Sequence, residues 1–386
     1  MAVADDVLAD AARWVADGPV VLATVIGVSG SAPRTPGASM VVAADGRVSG
    51  SVSGGCVESA VFESAQEVLV SGRPRHHTFG VASDDAFEIG LTCGGSIEVL
   101  VQRLEVTDGL DRLSRQVDAG TPAAVVTVVD HPRAEVVGTR ITLDAPASAP
   151  LGAVSRTLRR ALLARAEAMV SAGTSGQVTC GADGSPLGDE VRAFVQTWSP
   201  PPRLVVVGAV DFASALAGAA RFLGYRVTVC DARATFTTAQ RFPLAHEVVV
   251  DQPHRYLAAE QAAGRIDGRT ALCVLTHDSR FDVPVLVEAL RLPDIGYVGV
   301  MGSRHTHDDR LARLRAAGVS DFQLARLRSP LGLDLGGTTP EETALSIVAE
   351  LVADRRGGTG RRLGQLRGAI HHGGRGGRDR TDVVTA

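Results

Sequence analysis

The chain has 386 residues, of which 45% are hydrophobic and 21% charged, and its formal net charge is −4. These values are ordinary for a globular protein of about two domains, and they give no overall positive field that would attract nucleic acid. All 39 basic residues are arginine, which excludes a phosphate-loop lysine, a Schiff base and a lysine general base.

The first half of the chain alternates helical and extended patterns. Apolar spacing predicts a helix over residues 5–17, and a β-branched run predicts a strand over 20–28. A loop rich in Gly and Pro follows, with a return strand over 40–43. Further predicted elements are helix 57–70, strand 97–101, helix 111–117, strands 123–129 and 136–143, and helix 155–170.

Two segments combine a glycine pair with one cysteine. Residues 50–58 read GSVSGGCVE, and residues 90–98 read GLTCGGSIE. Glycine pairs allow positive φ and close backbone approach to a ligand, while thiols add soft, ionisable ligands. We predict that both loops share one binding site; two unrelated turns with inert thiols are the alternative. Cys56 precedes a helix and Cys93 a strand, so the helix dipole favours Cys56 as thiolate, although Glu58 opposes this.

Cysteine and histidine usage bounds the compartment and the metal chemistry. The five cysteines are widely spaced and include no Cys-x-x-Cys pair, which fits neither a disulfide framework nor a zinc ribbon. The histidine pairs at 76–77, 305–307 and 371–372 lack both the helical spacing and the neighbouring ligands of a structural zinc site. No apolar run is long enough to span a membrane. We predict a cytoplasmic protein.

The second half changes to alternating buried strands and helices after three prolines at 200–202. Continuous apolar strands separated by helices are typical of a parallel, doubly wound sheet, and a last helix over 340–352 has Thr339 as its N-cap. The predicted strands are 204–207, 227–230, 248–250, 272–275 and 297–300.

The predicted fold class is therefore α/β, with an N-terminal α+β domain followed by a Rossmann-like doubly wound parallel sheet. We place the first domain at residues 1–198 and the second at 203–355. Residues 356–386 form a basic tail rich in Gly and Arg, which we expect to be mobile.

The turn after the first strand of the second domain is a degraded dinucleotide fingerprint. It begins at Gly208, but Val210 stands where a second glycine would let the backbone approach a pyrophosphate, and Asp211 adds negative charge. Asp231 follows the next strand, where an acid that binds ribose would lie. The pattern predicts a Rossmann-like domain with another ligand or none, rather than NAD(P) or FAD in the standard pose.

Two further loops follow strands at the edge of the sheet where such folds bind ligands. His277 beside Asp278 is a candidate base, although a hydrogen-bonded histidine and a capping aspartate explain the pair almost as well. The other loop begins a helix with Gly302, Ser303 and Arg304, whose N–H, hydroxyl and guanidinium groups suit an oxyanion.

Together these segments resemble the XdhC/CoxI family, which contains maturation factors of molybdenum hydroxylases such as xanthine dehydrogenase. Val210 and Ala213 depart from the fuller glycine fingerprint of some members, which argues against nucleotide use in this chain. The matching segments occur in order at residues 30–38, 50–58, 90–98, 224–233, 275–278, 302–307 and 332–342.

The resemblance implies a carrier rather than an enzyme. Such a protein binds the molybdopterin form of the molybdenum cofactor, protects it during sulfuration and delivers it to an apo-hydroxylase. Its implied partners are that hydroxylase and a cysteine desulfurase-type sulfur donor, with a homodimer as an open possibility and no nucleic acid. Thiolates of Cys56 and Cys93 suit a transient contact with molybdenum.

The cofactor site implied by these segments includes anion contacts, glycine loops and both thiols. Two other functions stay open at this point: an NAD(P)-dependent oxidoreductase, and a scaffold that docks hydroxylase and sulfur donor without holding cofactor. The predicted site residues are Arg34, Gly54, Gly55, Cys56, Cys93, Gly94, Gly95, Gly208, Asp231, His277, Asp278, Gly302, Ser303 and Arg304.

Overall fold

A computed structural model describes residues 3–30, 32–80, 95–144, 154–276 and 278–366. These residues divide into two compact units, an N-terminal unit that ends at Pro200 and a C-terminal unit that begins at Pro201. Most of the predicted tail lies outside the described residues. No helix within the described ranges is long and apolar enough to cross a membrane.

The N-terminal unit contains two antiparallel sheets, with strand orders β3-β2-β1-β5-β4 and β7-β6-β9-β8. Its helices are α1 (Val3–Trp14), α2 (Glu58–Ser71), α3 (Leu110–Asp118) and α4 (Arg156–Ala172). Its strands are β1 (Val20–Ser29), β2 (Ser39–Ala43), β3 (Val48–Gly50), β4 (Arg75–Phe79), β5 (Ser96–Leu104), β6 (Ala123–Asp130), β7 (Arg140–Thr142), β8 (Gly176–Cys180) and β9 (Val191–Trp198).

Alternation of side chains along the strands explains how these sheets stack. Val21 and Val25 of β1 lie in one apolar cluster with Val61 of α2, because successive strand side chains point to opposite faces. Ile26, on the other face of β1, packs with Phe194 of β9. Alternate side chains of β6 and β9 cluster with α4. The layers therefore run α2, first sheet, second sheet, α4.

The C-terminal unit is a parallel six-stranded sheet with strand order β12-β11-β10-β13-β14-β15. Alternate residues of β10 pack against α5 and α10 on one face and against α6 and α7 on the other. Its strands are β10 (Arg203–Val207), β11 (Arg226–Asp231), β12 (Glu247–Val250), β13 (Ala271–Val274), β14 (Tyr297–Val300) and β15 (Leu327–Arg328). Its helices are α5 (Asp211–Phe222), α6 (Pro253–Ala262), α7 (Ser279–Arg291), α8 (Arg304–Ala316), α9 (Asp321–Leu324) and α10 (Pro340–Arg356).

The predicted fold class is confirmed, and all five predicted strands of the second half are present and parallel. Thr339 caps α10 in a capping box with Glu342, as the sequence indicates. The strand predicted over 136–143 is wrong in its first half, because residues 134–136 form a 3₁₀ turn and β7 covers only Arg140–Thr142. Strands β3, β4, β8, β9 and β15 were not predicted.

Candidate functional site

The glycine-cysteine loop, residues 51–57, connects β3 to α2. Gly54 and Gly55 have φ of +84° and +126°, a backbone conformation that residues with a side chain rarely adopt. A Cβ atom added at either position would meet no other atom within 4 Å. Cys56 is partly exposed, and its N–H donates to Ser53 Oγ at 3.0 Å. The loop therefore holds Cys56 at a fixed backbone position two residues before α2 begins.

The carboxylate of Glu58 is the centre of this loop. Partial burial opposes its ionisation, but the hydrogen bonds donated by Ser51 and Ser53 outweigh burial and lower the pKa of Glu58 to about 2. Four N–H groups of the loop are thus bound to an internal carboxylate, and an anionic group of a ligand needs a different partner. The donors to Oε1 are Ser51 Oγ (2.6 Å), Ser53 N (2.9 Å) and Gly54 N (2.9 Å), and those to Oε2 are Ser53 Oγ, Gly55 N (2.8 Å) and Val57 N (3.2 Å).

The second cysteine segment is only partly described. Cys93, Gly94 and His277 lie outside the described residues, as does the side chain of Arg304. Gly95 is buried directly before β5. That Cys56 and Cys93 share a site therefore stays a prediction.

A pocket of about 230 Å³ lies within the N-terminal unit. Its lining includes residues of the loop rich in Gly and Pro and of the glycine-cysteine loop. Arg34 lines it, together with Ser51 of the glycine-cysteine loop. The backbone of Ser51 also donates to the carbonyl of Ser39 at 3.1 Å, which ties this loop to the start of β2. The remaining lining residues are Thr35, Pro36, Gly37, Ala38, Ser39, Ser175, Gln196, Thr197 and Trp198.

The lining of this pocket carries one cation and no acidic side chain. Within the five described ranges no carboxylate forms an ion pair with Arg34. A guanidinium without a protein counter-ion at the wall of an open pocket suits a carboxylate or phosphate from solution. The pocket is therefore a candidate anion site that shares Ser51 with the loop of Cys56.

In the C-terminal unit, the carboxylate that was predicted to bind ribose, that of Asp231, accepts hydrogen bonds from its own chain. Gly208 has φ of +115°, and a Cβ there would lie 2.8 Å from Thr276 Cγ2. Asp231 is buried, and its Oδ2 accepts from the N–H of Ala209 at 2.8 Å and from Arg233 Nη2 at 2.7 Å. Burial opposes ionisation, but these bonds, led by the one from Arg233, lower the pKa of Asp231. Asp231 therefore stabilises the turn that begins at Gly208.

The other two predicted loops of this unit contain helix caps. Asp278 caps α7 by accepting from Arg280 N at 3.0 Å, and bonds from the Arg280 side chain and backbone lower the pKa of Asp278 to about 2. Ser303 caps α8 by accepting from Thr306 N at 3.3 Å. A Cβ at Gly302 would lie 2.7 Å from Thr306 Oγ1, so glycine is needed for space at this position.

Comparison with known protein families covers both units. The model of the XdhC and CoxI family matches residues 13–80, and that of the XdhC Rossmann domain matches residues 204–351. The chain belongs to the XdhC/CoxI family. The predicted membership is thus confirmed, as is the Rossmann-like assignment of the second half.

Relatives and a solved structure align along most of the chain. The molybdenum cofactor insertion chaperone PaoD of Escherichia coli K12 is 29% identical over 335 residues, which are 87% of this chain and 83% of that protein. A probable subunit of xanthine dehydrogenase from Bacillus subtilis 168 is 28% identical, over 87% of this chain and 93% of that protein. The crystal structure of a xanthine dehydrogenase from Bacillus halodurans is similar with a TM-score of 0.62 and 26% identity, covering 95% of this chain and 98% of that one.

The XdhC/CoxI match includes Arg34 and Cys56, but part of the pocket lies beyond it. Gln196 and Trp198 come from β9, outside both matched ranges. Sequence reasoning missed them because β9 was not predicted. The signal was present: alternation along Val191–Trp198 places Phe194, Gln196 and Trp198 on one face.

The thiols of this XdhC/CoxI protein differ in accessibility, and we expect alkylation to follow that difference. Cys180, Cys230 and Cys273 are buried, and burial raises the pKa of each thiol, that of Cys230 to about 12. Brief treatment of the folded protein with iodoacetamide at pH 7.5 should modify Cys56 at least about a hundredfold faster than these three. Peptide mass spectrometry, with the unfolded chain as control, measures the rates. Rapid modification of Cys230 or Cys273 in the folded protein would contradict the expectation.

Proposed function

We propose that this protein binds the molybdenum cofactor as cargo, holds it while sulfur is added to the metal, and delivers it to an apo-hydroxylase of the xanthine dehydrogenase type. The observation that carries the proposal is the partly exposed Cys56 on a loop that shares Ser51 with the Arg34 pocket. A soft thiolate is a suitable ligand for molybdenum or for sulfur in transit. Similarity to an insertion chaperone supports the same function.

The chemistry of the cargo matches the residues present. Molybdopterin carries a pterin ring, one phosphate and a metal, so its carrier needs a soft ligand, an anion contact and hydrogen-bonding groups. Cys56 supplies the first and Arg34 the second, while Glu58 only organises the loop because its oxygen atoms are committed to loop donors. A separate cysteine desulfurase-type donor would supply the sulfur, and the apo-hydroxylase would receive the loaded cofactor.

The Rossmann-like unit gives weaker support to a nicotinamide-dependent reaction. The Oδ2 atom of Asp231 already accepts from Ala209 and Arg233, and Val210 replaces the glycine that a pyrophosphate requires. A titration with NADH or NADPH that saturates below millimolar concentration would favour the oxidoreductase alternative over the carrier.

Anaerobic purification from cells replete in molybdenum cofactor tests the proposal. We expect near-stoichiometric pterin and molybdenum on the parent chain and about tenfold less on Cys56→Ala, because one metal-thiolate contact is lost. Cys180→Ala is the matched control, since that thiol is buried on the α4 side of the second sheet. Metal analysis and the fluorescence of the oxidised pterin measure the cargo.

Each outcome of this purification decides something. A parent chain that carries no pterin would overturn the carrier function. Equal loss in Cys56→Ala and Cys180→Ala would remove Cys56 from the site. Retained binding of hydroxylase by a parent without pterin would favour the scaffold alternative.

A further inference from the structure

The lining of the Arg34 pocket includes two polar groups of different chemistry, a guanidinium and an amide. The charge of Arg34 is not neutralised within the described ranges, since it forms no ion pair with a carboxylate there and the lining holds no acidic side chain. Ser51 adds no donor to a ligand, because its hydroxyl donates to Glu58 at 2.6 Å and accepts from Gly54 N at 2.8 Å. Arg34 is therefore the group that an anion would meet.

Gln196 brings an amide to the lining of the same pocket. Gln196 Nε2 donates to the carbonyl of Gly37 at 3.1 Å and to Ser39 Oγ at 3.4 Å. These two contacts restrain the orientation of the amide, and no hydrogen bond among the described residues uses Gln196 Oε1, which is an acceptor by its chemistry. Gln196 is thus a positioned acceptor at the pocket wall.

The hydroxyl groups beside Gln196 are satisfied within the protein. Thr197 Oγ1 donates to the carbonyl of Thr174 at 3.1 Å, and Ser175 Oγ accepts from Thr197 N at 3.0 Å. The two hydroxyls also lie 3.3 Å apart. They line the pocket next to Trp198 and contribute little further hydrogen-bonding capacity.

We infer that this pocket binds the organic part of the cargo, with a phosphate monoester at Arg34 and the N–H edge of the pterin ring at Gln196. A ligand that matches both Arg34 and Gln196 carries an anionic group and N–H donors, and a 2-amino-4-oxopteridine phosphate has both. The inference rests on the proposed function and adds to it a phosphate contact and a ring contact. The ring contact, Gln196, lies outside the family match over residues 13–80. Arg34 then selects for phosphate, while Gln196 selects for the ring.

Calorimetric titration of the full chain tests this with two probes, 6-hydroxymethylpterin and its phosphate monoester. The parent should bind the ester about tenfold to a hundredfold more tightly, as expected for one charge-assisted contact. Arg34→Gln should abolish this preference and leave the affinity for the unphosphorylated pterin unchanged. Gln196→Met should weaken both ligands by a similar factor and keep the preference.

Arg115→Gln is the matched control, because Arg115 is an exposed arginine of the same unit that pairs with Asp111 across one helical turn. It should keep both affinities. A preference for phosphate that survives in Arg34→Gln, or the absence of any preference in the parent, would overturn the inference. Melting temperatures of all variants show whether each still folds.

The two proposals fail in different ways. If the parent purifies without cofactor but binds the pterin ester through Arg34, the pocket stands and the carrier function falls. If the parent carries cofactor and Arg34→Gln carries as much, with no effect on the ester, the carrier function stands and the pocket assignment falls.

Discussion

The Glu58→Gln variant is expected to loosen the glycine-cysteine loop while leaving helix α2 intact. An amide has one acceptor oxygen where the carboxylate has two, and its NH₂ group would face N–H donors, so about half of the hydrogen bonds to Glu58 are lost. The hydrogen bonds from the exposed glycines contribute less than buried ones. We therefore expect the free energy needed to open the loop to fall by about 2 kcal/mol. Amide hydrogen exchange in peptides over residues 51–58 should accelerate roughly thirtyfold.

The pH dependence of the stability of this loop follows from the direction in which the pKa of Glu58 is shifted. The pKa of Glu58 lies below its ordinary value of 4.5, at about 2, so the folded loop favours the ionised form. Its stabilising contribution is complete above about pH 4.5 and is lost as the pH falls toward 2. Glu63→Gln is the control, since Glu63 is exposed on the same helix. Unchanged exchange in Glu58→Gln, or an equal change in the control, would refute the role given to Glu58.

Replacing Gly50 with alanine is expected to cause the largest loss of stability. Gly50 has φ of +83°, and a Cβ there would lie 2.3 Å from the carbonyl oxygen of Ser39 and 2.4 Å from Val7 Cγ2. The carbonyl belongs to the backbone of Ser39, the first residue of β2, so rotation of a side chain cannot relieve this clash. We expect a loss of about 4 kcal/mol or more, which lowers the melting temperature of the N-terminal unit by roughly 10 °C.

Gly46→Ala separates backbone strain from the clash. Gly46 has a similar φ of +88°, but nothing lies within 4 Å of its Cβ position. The left-handed conformation alone costs about 1 kcal/mol, so this variant should melt only a few degrees below the parent. Calorimetry of both variants measures the difference. Equal destabilisation at the two positions would show that close packing at Gly50 is unimportant.

The Rossmann-like unit could be predicted well because its strands are continuous apolar runs. Two of them, Leu204–Val207 and Val227–Cys230, are buried on both faces. Such runs can be recognised in the sequence without knowing which strands pair with them. The N-terminal unit was harder. β8 and β9 carry polar side chains such as Gln177 and Gln196, because one face of each meets another sheet whose interface is itself partly polar.

The candidate site shows the same limit at the level of single residues. Arg34 and Cys56 could be singled out from nearby glycines and prolines, since the pattern is local. The roles of Glu58 and Asp231 as internal acceptors could not, because they depend on where loop N–H groups point after folding. Gln196 enters the site from a strand about 160 residues after Arg34, and this proximity is visible only in three dimensions.

The pocket's composition from distant parts of the chain has a consequence for the order of events during synthesis. Arg34 and the glycine-cysteine loop leave the ribosome long before β9, yet Gln196 and Trp198 complete the pocket wall. A nascent chain that has emerged only as far as α3 therefore has a thiol but no finished cavity. Under the proposed carrier function, capture of cargo would therefore have to wait until β9 has joined the fold of the N-terminal unit.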